Sequence, residues 1–365
     1  MEKHNIGFAF GIRRSRNSIV LDVQYTDICI DNSAELLHFL KEELSVTSTG
    51  YYRISKSLIF DLLERKLDLI PSDILKEDLE ALANFADLKP NSYSSMDLGV
   101  FISMDLNSSV SSVEEAYFKL QALSQLKVKP HSINLDSLFP TLNNIAWTNI
   151  GPILAQDLDR VRLSSKISGE ILQVSHIDKF PYMVDYFVPQ GVRIVSGSQV
   201  RLGAYLSPGT TVMPAGYINF NAGTMGNAMV EGRISAGVVV GKNTDVGGGA
   251  SIMGTLSGGN KTVISIGDEC LLGANSGTGI SLGFGCTIAA GVYVTAGAKV
   301  RLYNEQNKPV DINNTLVNEG KNICKAGELS NRSKLLFLND SSTGYLICKP
   351  NPNTIELNES LHQNI

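Results

Sequence analysis

The side chains that could do chemistry are scarce where this sequence is most regular. Between residues 191 and 300 the only carboxylates are Glu231, Asp245, Asp268 and Glu269, and no histidine occurs from 200 to 300, the five being His4, His38, His131, His176 and His362. Histidine-assisted deprotonation of an acceptor and a three-histidine zinc centre therefore cannot be built from this stretch. Of the four acids, Glu231 alone sits in an apolar, glycine-flanked run, AMVEGRISAGVVVG. Desolvation disfavours the charged form of a carboxylate and makes it a better proton acceptor near neutral pH, as a general base requires. The plain alternative is that Glu231 pairs with Arg233 or caps a corner of the chain. The triplet Gly247, Gly248, Gly249 is not a nucleotide loop, because no GK[ST] follows it.

The elements that must position Glu231 repeat every six residues. Aliphatic side chains fall at Ile194, Val200, Leu206, Val212 and Ile218, with Gly197, Gly203 and Gly209 three residues on. After a slip in phase the beat resumes at Ile234, Val240, Val246 and Ile252, then at Ile266 and Leu272, and last at Ile288, Val294 and Val300. Six is three strand periods and no multiple of 3.6, so short strands separated by turns fit and a helix does not. Such hexapeptides predict a parallel β-helix in which three of them make one triangular coil of about 18 residues and each coil buries its apolar edge on the next. Of the 33 glycines, 24 lie from Gly191 to Gly297, where corners call for φ > 0.

Around the repeat the chain divides into an N-terminal α/β domain (1–150), a strand-rich connector (151–192), the β-helix (193–302) and a C-terminal strand-rich cap (303–365). Leucines at helical spacing predict helices over 34–46 and 57–69, the second stopped by Pro71, and a further helix over 111–126. Residues 139–152 (FPTLNNIAWTNIGP) read as a polar passage out of the first domain. Two interruptions of the coils are expected: an excursion over 214–230, rich in Asn and aromatics, and a short projection over 257–262 (SGGNKT).

A net charge of −5 and a pI near 5.6 offer no electrostatic case for nucleic acid or an anionic membrane. No apolar run approaches the roughly 20 residues that span a bilayer, and the N-terminal segment lacks the pattern of a secretory signal, so a cytoplasmic enzyme or scaffold is expected. The five cysteines are odd in number, widely spaced and form no CxxC pair. Reduced thiols follow, with Cys270 and Cys286 as small coil residues.

Three runs are far longer than a hexapeptide repeat shares by chance: VRLGAYLSPGTTVMPAGYINFNAGTMGNAMVEGRISAGVVVG, TDVGGGASIMGTLSGGN and CLLGANSGTGISLG. With AWTNIGP before them and KAGELSNRSKLLF after, they closely resemble the tetrahydrodipicolinate N-succinyltransferases of actinobacteria and some proteobacteria. The resemblance implies a left-handed winding of the β-helix, a hand that periodicity does not supply. It also implies succinyl transfer from succinyl-CoA, as co-substrate, to the amino group of open-chain tetrahydrodipicolinate in lysine and diaminopimelate synthesis. The family glutamate of MVEGRIS falls on Glu231, acting as general base or as a nucleophile that takes the acyl group as an anhydride. The family's acyl-CoA contacts fall on Arg233, Gly248, Ser251, Ala274, Gly297 and Lys325.

The resemblance further implies a homotrimer whose intersubunit clefts hold both substrates, and prism-shaped solenoids pack naturally about a three-fold axis. Both substrates are anionic, so Arg193, Arg201 and Arg233 are candidates to offset their charge. One departure concerns magnesium, which actinobacterial relatives hold at the axis with acids, one of them in an M-x-E-G segment. Here that segment reads Met213, Pro214, Ala215, Gly216, and Ser198 aligns with the other acid. Neither is a hard-cation carboxylate, so no metal site is expected. Two rivals remain: the same acceptor with acetyl-CoA as donor, and a non-catalytic hexapeptide scaffold.

Overall fold

The computed structural model describes residues 6–31, 34–84, 93–255 and 262–352. They form two compact units, Met1–Pro181 and Tyr182–Ile365.

In the first unit four antiparallel strands lie in the order Ile19–Tyr25, Gly7–Arg16, Ser95–Ser103, Gly50–Arg53. Strand alternation sends Phe8, Phe10, Leu98, Val100 and Ile102 to one face, where they pack with the buried leucines of helices Glu35–Glu43, Lys56–Arg65 and Asp73–Asn84. The other face carries Tyr25 and Phe101, which meet Phe118 of helix Val113–Ser124. Ser112 caps that helix by accepting the Glu115 N–H at 3.1 Å. One turn on, Lys119 and Glu115 form a fully buried ion pair at 3.0 Å. Lys119 Nζ also donates to the carbonyls of Ser108 and Asn134, and Glu115 accepts from the N–H and hydroxyl of Ser111. The desolvated charges are thus satisfied by the loops they tie down.

Two helices escape the spacing analysis. Asp73–Asn84 buries only Leu75, Leu79 and Ala83 along a narrow stripe, and Leu158–Ser168 buries only Leu158 and Ser165. Only the second lacks an apolar face to read, since Leu75, Leu79 and Leu82 of Asp73–Asn84 recur at helical spacing. Residues 139–152, read as a passage, instead hold the hairpin strands Ile145–Thr148 and Gly151–Leu154, and Val174–Asp178 pairs beside them. His176 is occupied there, stacked on Trp147 at 5.9 Å and hydrogen-bonded to Ser175 Oγ at 2.9 Å.

In the second unit the six-residue beat becomes three parallel sheets wound as a β-helix. On the first face Ile194, Val212, Val230, Val246, Leu272 and Ile288 stack inward. On the second face the inward ladder is Ile218, Ile234, Ile252, Thr278, Val294, and on the third Leu206, Thr224, Val240, Ile266. One core runs through all of them. Past the last coils, Leu335–Asn339, Leu346–Pro350, Lys299–Leu302 and Ile323–Lys325 extend the first sheet in mixed directions.

The excursion expected over 214–230 is not one. Tyr217–Ile218, Gly223–Thr224 and Ala228–Val230 pair in register with the coils on either side. Its Asn content misled because Asn221 takes a left-handed corner, φ 52°, as glycine does elsewhere. The projection expected over 257–262 lies, except for Thr262, outside the described residues. The coil that contains it is lengthened, Val239 pairing with Ser265 where a neighbouring coil pairs Gly223 with Val239.

One corner column explains the cysteines. Thr244 Oγ1 donates to Gly267 O at 2.9 Å, Cys270 Sγ to Gly283 O at 3.0 Å and Cys286 Sγ to Arg332 O at 3.2 Å. Each small side chain thus satisfies a carbonyl of the next turn from inside the wall. The hydrogen bond with Cys286 and burial push the Cys270 thiol up, and burial holds those of Cys29 and Cys324 at about 11. None of these three is poised as a nucleophile. At the same column Glu269 occupies a left-handed corner, φ 55°, where Asn243 and Gly285 stand one turn to either side.

Candidate functional site

The corner between the first and second faces decides where Glu231 sits. Four residues make that turn at 213–216, 247–250, 273–276 and 289–292, but only Glu231 and Gly232 make it between Ala228–Val230 and Arg233–Ile234. Here the edge is drawn in between full corners. The register shows the same shortening, advancing 18 residues from Arg193 to Thr211 but 16 from Tyr217 to Arg233. The tight turn is held by Glu231 N to Val246 O, Arg233 N to Ala250 O, both 2.7 Å, and Gly249 N to Glu231 O, 3.1 Å. A Cβ on Gly232 would stand 2.4 Å from Ala250 O, so only glycine fits beside Glu231.

Glu231 is part-buried, and its carboxylate faces the bare Cα of Gly248. A Cβ built there would lie 3.6 Å from Glu231 Oε2 and within 4 Å of nothing else. Among the described residues the carboxylate makes no hydrogen bond or ion pair. Arg233, the partner weighed in the plain alternative, turns away: its Nη2 donates to Ser251 Oγ at 2.7 Å. Asn275 N bonds Gly248 O and Gly291 N bonds Ala274 O, so Glu231, Gly248 and Ala274 follow one another up a single edge. The N–H groups of Gly248 and Ala274 make no hydrogen bond among the described residues. A partly buried carboxylate beside two unused backbone donors can accept a proton while the donors meet a carbonyl or an oxyanion.

Arg233 and Ser251 belong to the outward row of the second face, which reads Tyr217, Arg233, Ser251, Gly277, Tyr293. The ring of Tyr293 lies back over Gly277, whose added Cβ would be 2.2 Å from Cε2. Gly297 lies beyond the far end of this face, in the turn after Tyr293–Val294, with open space where a Cβ would be. Lys325 is exposed in Ile323–Lys325 and tied to the same turn, Ala326 N bonding Ala298 O and Gly327 N bonding Ala296 O. Three of the expected residues thus share an edge, two share the face beside it, and Gly297 and Lys325 form a separate group at the face's far end. Ser198, Ala215 and Arg193 are exposed, while Arg201 donates to Asn219 Oδ1 at 3.3 Å. No group of three or more His, Cys, Asp or Glu suited to a metal occurs among the described residues.

The short corner and the folded-back Tyr293 were missed in the sequence. The first had a signal: the beat slips at this point because Val230 is followed by Ile234 after four residues, not six. The second had none, since which outward residue covers a glycine depends on rotamer rather than spacing.

The 2,3,4,5-tetrahydropyridine-2,6-dicarboxylate N-succinyltransferase of Vibrio cholerae is 51% identical to this chain over 284 residues, 78% of the chain and 79% of that protein. The chain belongs to the tetrahydrodipicolinate N-succinyltransferase family. The Pseudomonas aeruginosa member is 52% identical over 252 residues, covering 69% of this chain and 70% of its own length. A family model described as the middle region of tetrahydrodipicolinate N-succinyltransferase matches residues 142–182. A second, described as the hexapeptide repeat of succinyl-transferase, matches 263–296. A solved Campylobacter jejuni structure, assigned as a 2,3,4,5-tetrahydropyridine-2-carboxylate N-succinyltransferase, superposes with a TM-score of 0.80 at 33% identity over 98% of this chain and 94% of that one. The resemblance seen in the MVEGRIS and GGGAS runs is thereby borne out, as is the hexapeptide β-helix.

Proposed function

We propose that this chain transfers the succinyl group of succinyl-CoA to the amino group of open-chain tetrahydrodipicolinate, with Glu231 as general base. The observation that carries the site assignment is the shortened corner, which sets a carboxylate free of partners against Gly248. Glu231 takes a proton from the acceptor ammonium, and the amine nitrogen attacks the thioester carbonyl carbon. The oxyanion so formed meets a backbone N–H, for which Gly248 and Ala274 supply unused donors. The C–S bond then breaks, and the leaving CoA sulfur takes the second proton that the attacking nitrogen sheds, so that a neutral amide and free CoA thiol form. Arg233 and Ser251 on the second face, with Gly297 and Lys325 beyond its far end, complete the donor track. Aminolysis of a thioester needs a neutral amine, positioning and oxyanion stabilisation, which favours the base over the anhydride. No step needs a metal, and Ser198 and Ala215 offer no carboxylate for one.

The same reading takes the β-helix as left-handed, residues 193–302 as the acyltransferase domain, and the active assembly as a cytoplasmic homotrimer. No helix among the described residues is long and apolar enough to cross a membrane. Light scattering on the active enzyme is expected to give the mass of three chains; an active monomer or dimer at assay concentration would contradict the trimer.

Donor choice tests the function. With tetrahydrodipicolinate as acceptor, succinyl-CoA is expected to show the higher kcat/KM, because the terminal carboxylate of its acyl group finds a cation in Arg233. A higher kcat/KM for acetyl-CoA would overturn the succinyltransferase reading and leave the acyltransferase class standing.

A further inference from the structure

Two like charges face each other at the far end of the second face. Lys299 and Lys325 are direct cross-strand partners in the antiparallel pair Lys299–Leu302 with Ile323–Lys325, and both are exposed. Directly opposed residues of an antiparallel pair project to the same side, and like charges so placed repel. Arg301, next in the same outward row, is neutralised: it bonds Glu319 at 2.7 Å and stacks over the Tyr345 ring at 3.9 Å. Neither lysine has a carboxylate partner among the described residues. The acid nearest in sequence, Glu328, accepts the backbone N–H of Lys325 at 2.8 Å. An unrelieved pair of ammonium groups suits a ligand carrying two negative charges on one group.

The place of the pair says which group. From Arg233 the outward row climbs through Ser251 and Gly277 to Tyr293, three strand steps of about 4.8 Å each, or about 14 Å. Lys299 lies beyond that row, past the turn that holds Gly297. The pair is therefore remote from Glu231, at the end of the track where the tail of a long carrier must lie when its thioester is at the corner. A phosphate monoester is close to dianionic at pH 7, its second pKa being about 6. We infer that Lys299, opposite Lys325, binds the 3′-phosphate of the CoA carrier and makes it a determinant of donor affinity. This rests on the succinyl-CoA reading above and adds Lys299 to its donor site.

The test compares succinyl-CoA with its 3′-dephospho analogue on the wild-type, Lys299→Gln and Lys299→Arg enzymes. A charge-assisted contact to phosphate is worth about tenfold in binding. The wild type is expected to favour succinyl-CoA by about 100-fold in kcat/KM, about tenfold from each lysine. Lys299→Gln should lose about tenfold on succinyl-CoA and less than about twofold on the analogue, while Lys299→Arg keeps most of the preference. Without donor, Lys299→Gln should melt no lower than wild type, because it removes a like-charge pair. An equal loss on both donors, or no loss on either, would overturn the assignment. If no acyl donor turned over, the succinyltransferase reading would fail separately; CoA and 3′-dephospho-CoA would then be compared by their shifts of the melting temperature, with equal shifts overturning the clamp.

Discussion

A Glu231→Gln enzyme is expected to fold, assemble and bind CoA while its turnover falls by about 10²–10⁴-fold, the usual loss on removing a positioned base. Glutamine keeps the size of the side chain and one oxygen, but it cannot accept the ammonium proton. The fold should not notice: the carboxylate makes no hydrogen bond or ion pair among the described residues, and the corner is held by backbone bonds to Val246, Ala250 and Gly249. Steady-state kinetics beside thermal unfolding read both halves. Near wild-type turnover in a soluble Glu231→Gln enzyme would show that the carboxylate takes no part in the chemistry. If turnover falls, mass analysis of rapidly quenched wild-type enzyme separates the routes, since base catalysis leaves the protein unmodified and the anhydride route leaves it succinylated.

Gly223→Ala is expected to cost stability rather than chemistry, by about 2–6 kcal/mol. Gly223 pairs with Tyr205 on one side and Val239 on the other, at φ 154°, and a Cβ there would stand 1.7 Å from Tyr205 O. Relief would require parting two coils whose hydrogen bonds hold them at strand spacing. Overpacking a rigid site costs about 1–3 kcal/mol and an unfavourable backbone conformation about 1–3 more. Urea unfolding checks this against Gly297→Ala, where no atom lies within 4 Å of the new methyl and φ is not positive. Equal midpoints for the two variants would show that the coils part easily.

Much of this was legible because a solenoid writes its geometry locally. The inward ladders of Val212, Val230 and Val246 or of Ile234 and Ile252 are the hexad positions themselves, since each coil repeats one environment. Glu231 stood out by the same logic, as a carboxylate where the repeat calls for small or apolar residues. What stayed hidden depended on contacts remote in sequence or on exceptions to the repeat. The helix Leu158–Ser168 leaves Leu163 and Ile167 exposed, so no buried stripe marks it. Asn221 looked like a loop signal and proved a corner. The opposition of Lys299 and Lys325 depends on a hairpin that returns after a long polar loop, which periodicity does not describe.

The central claim is that the corner at Glu231 moves an acyl group to an amine, and acceptor dependence tests it most directly. Free thiol would be followed after mixing enzyme with succinyl-CoA, with and without tetrahydrodipicolinate. Thiol release is expected to require the acceptor and to match, mole for mole, the amino groups succinylated. Release at the same rate without acceptor, or no release with it, would contradict the account.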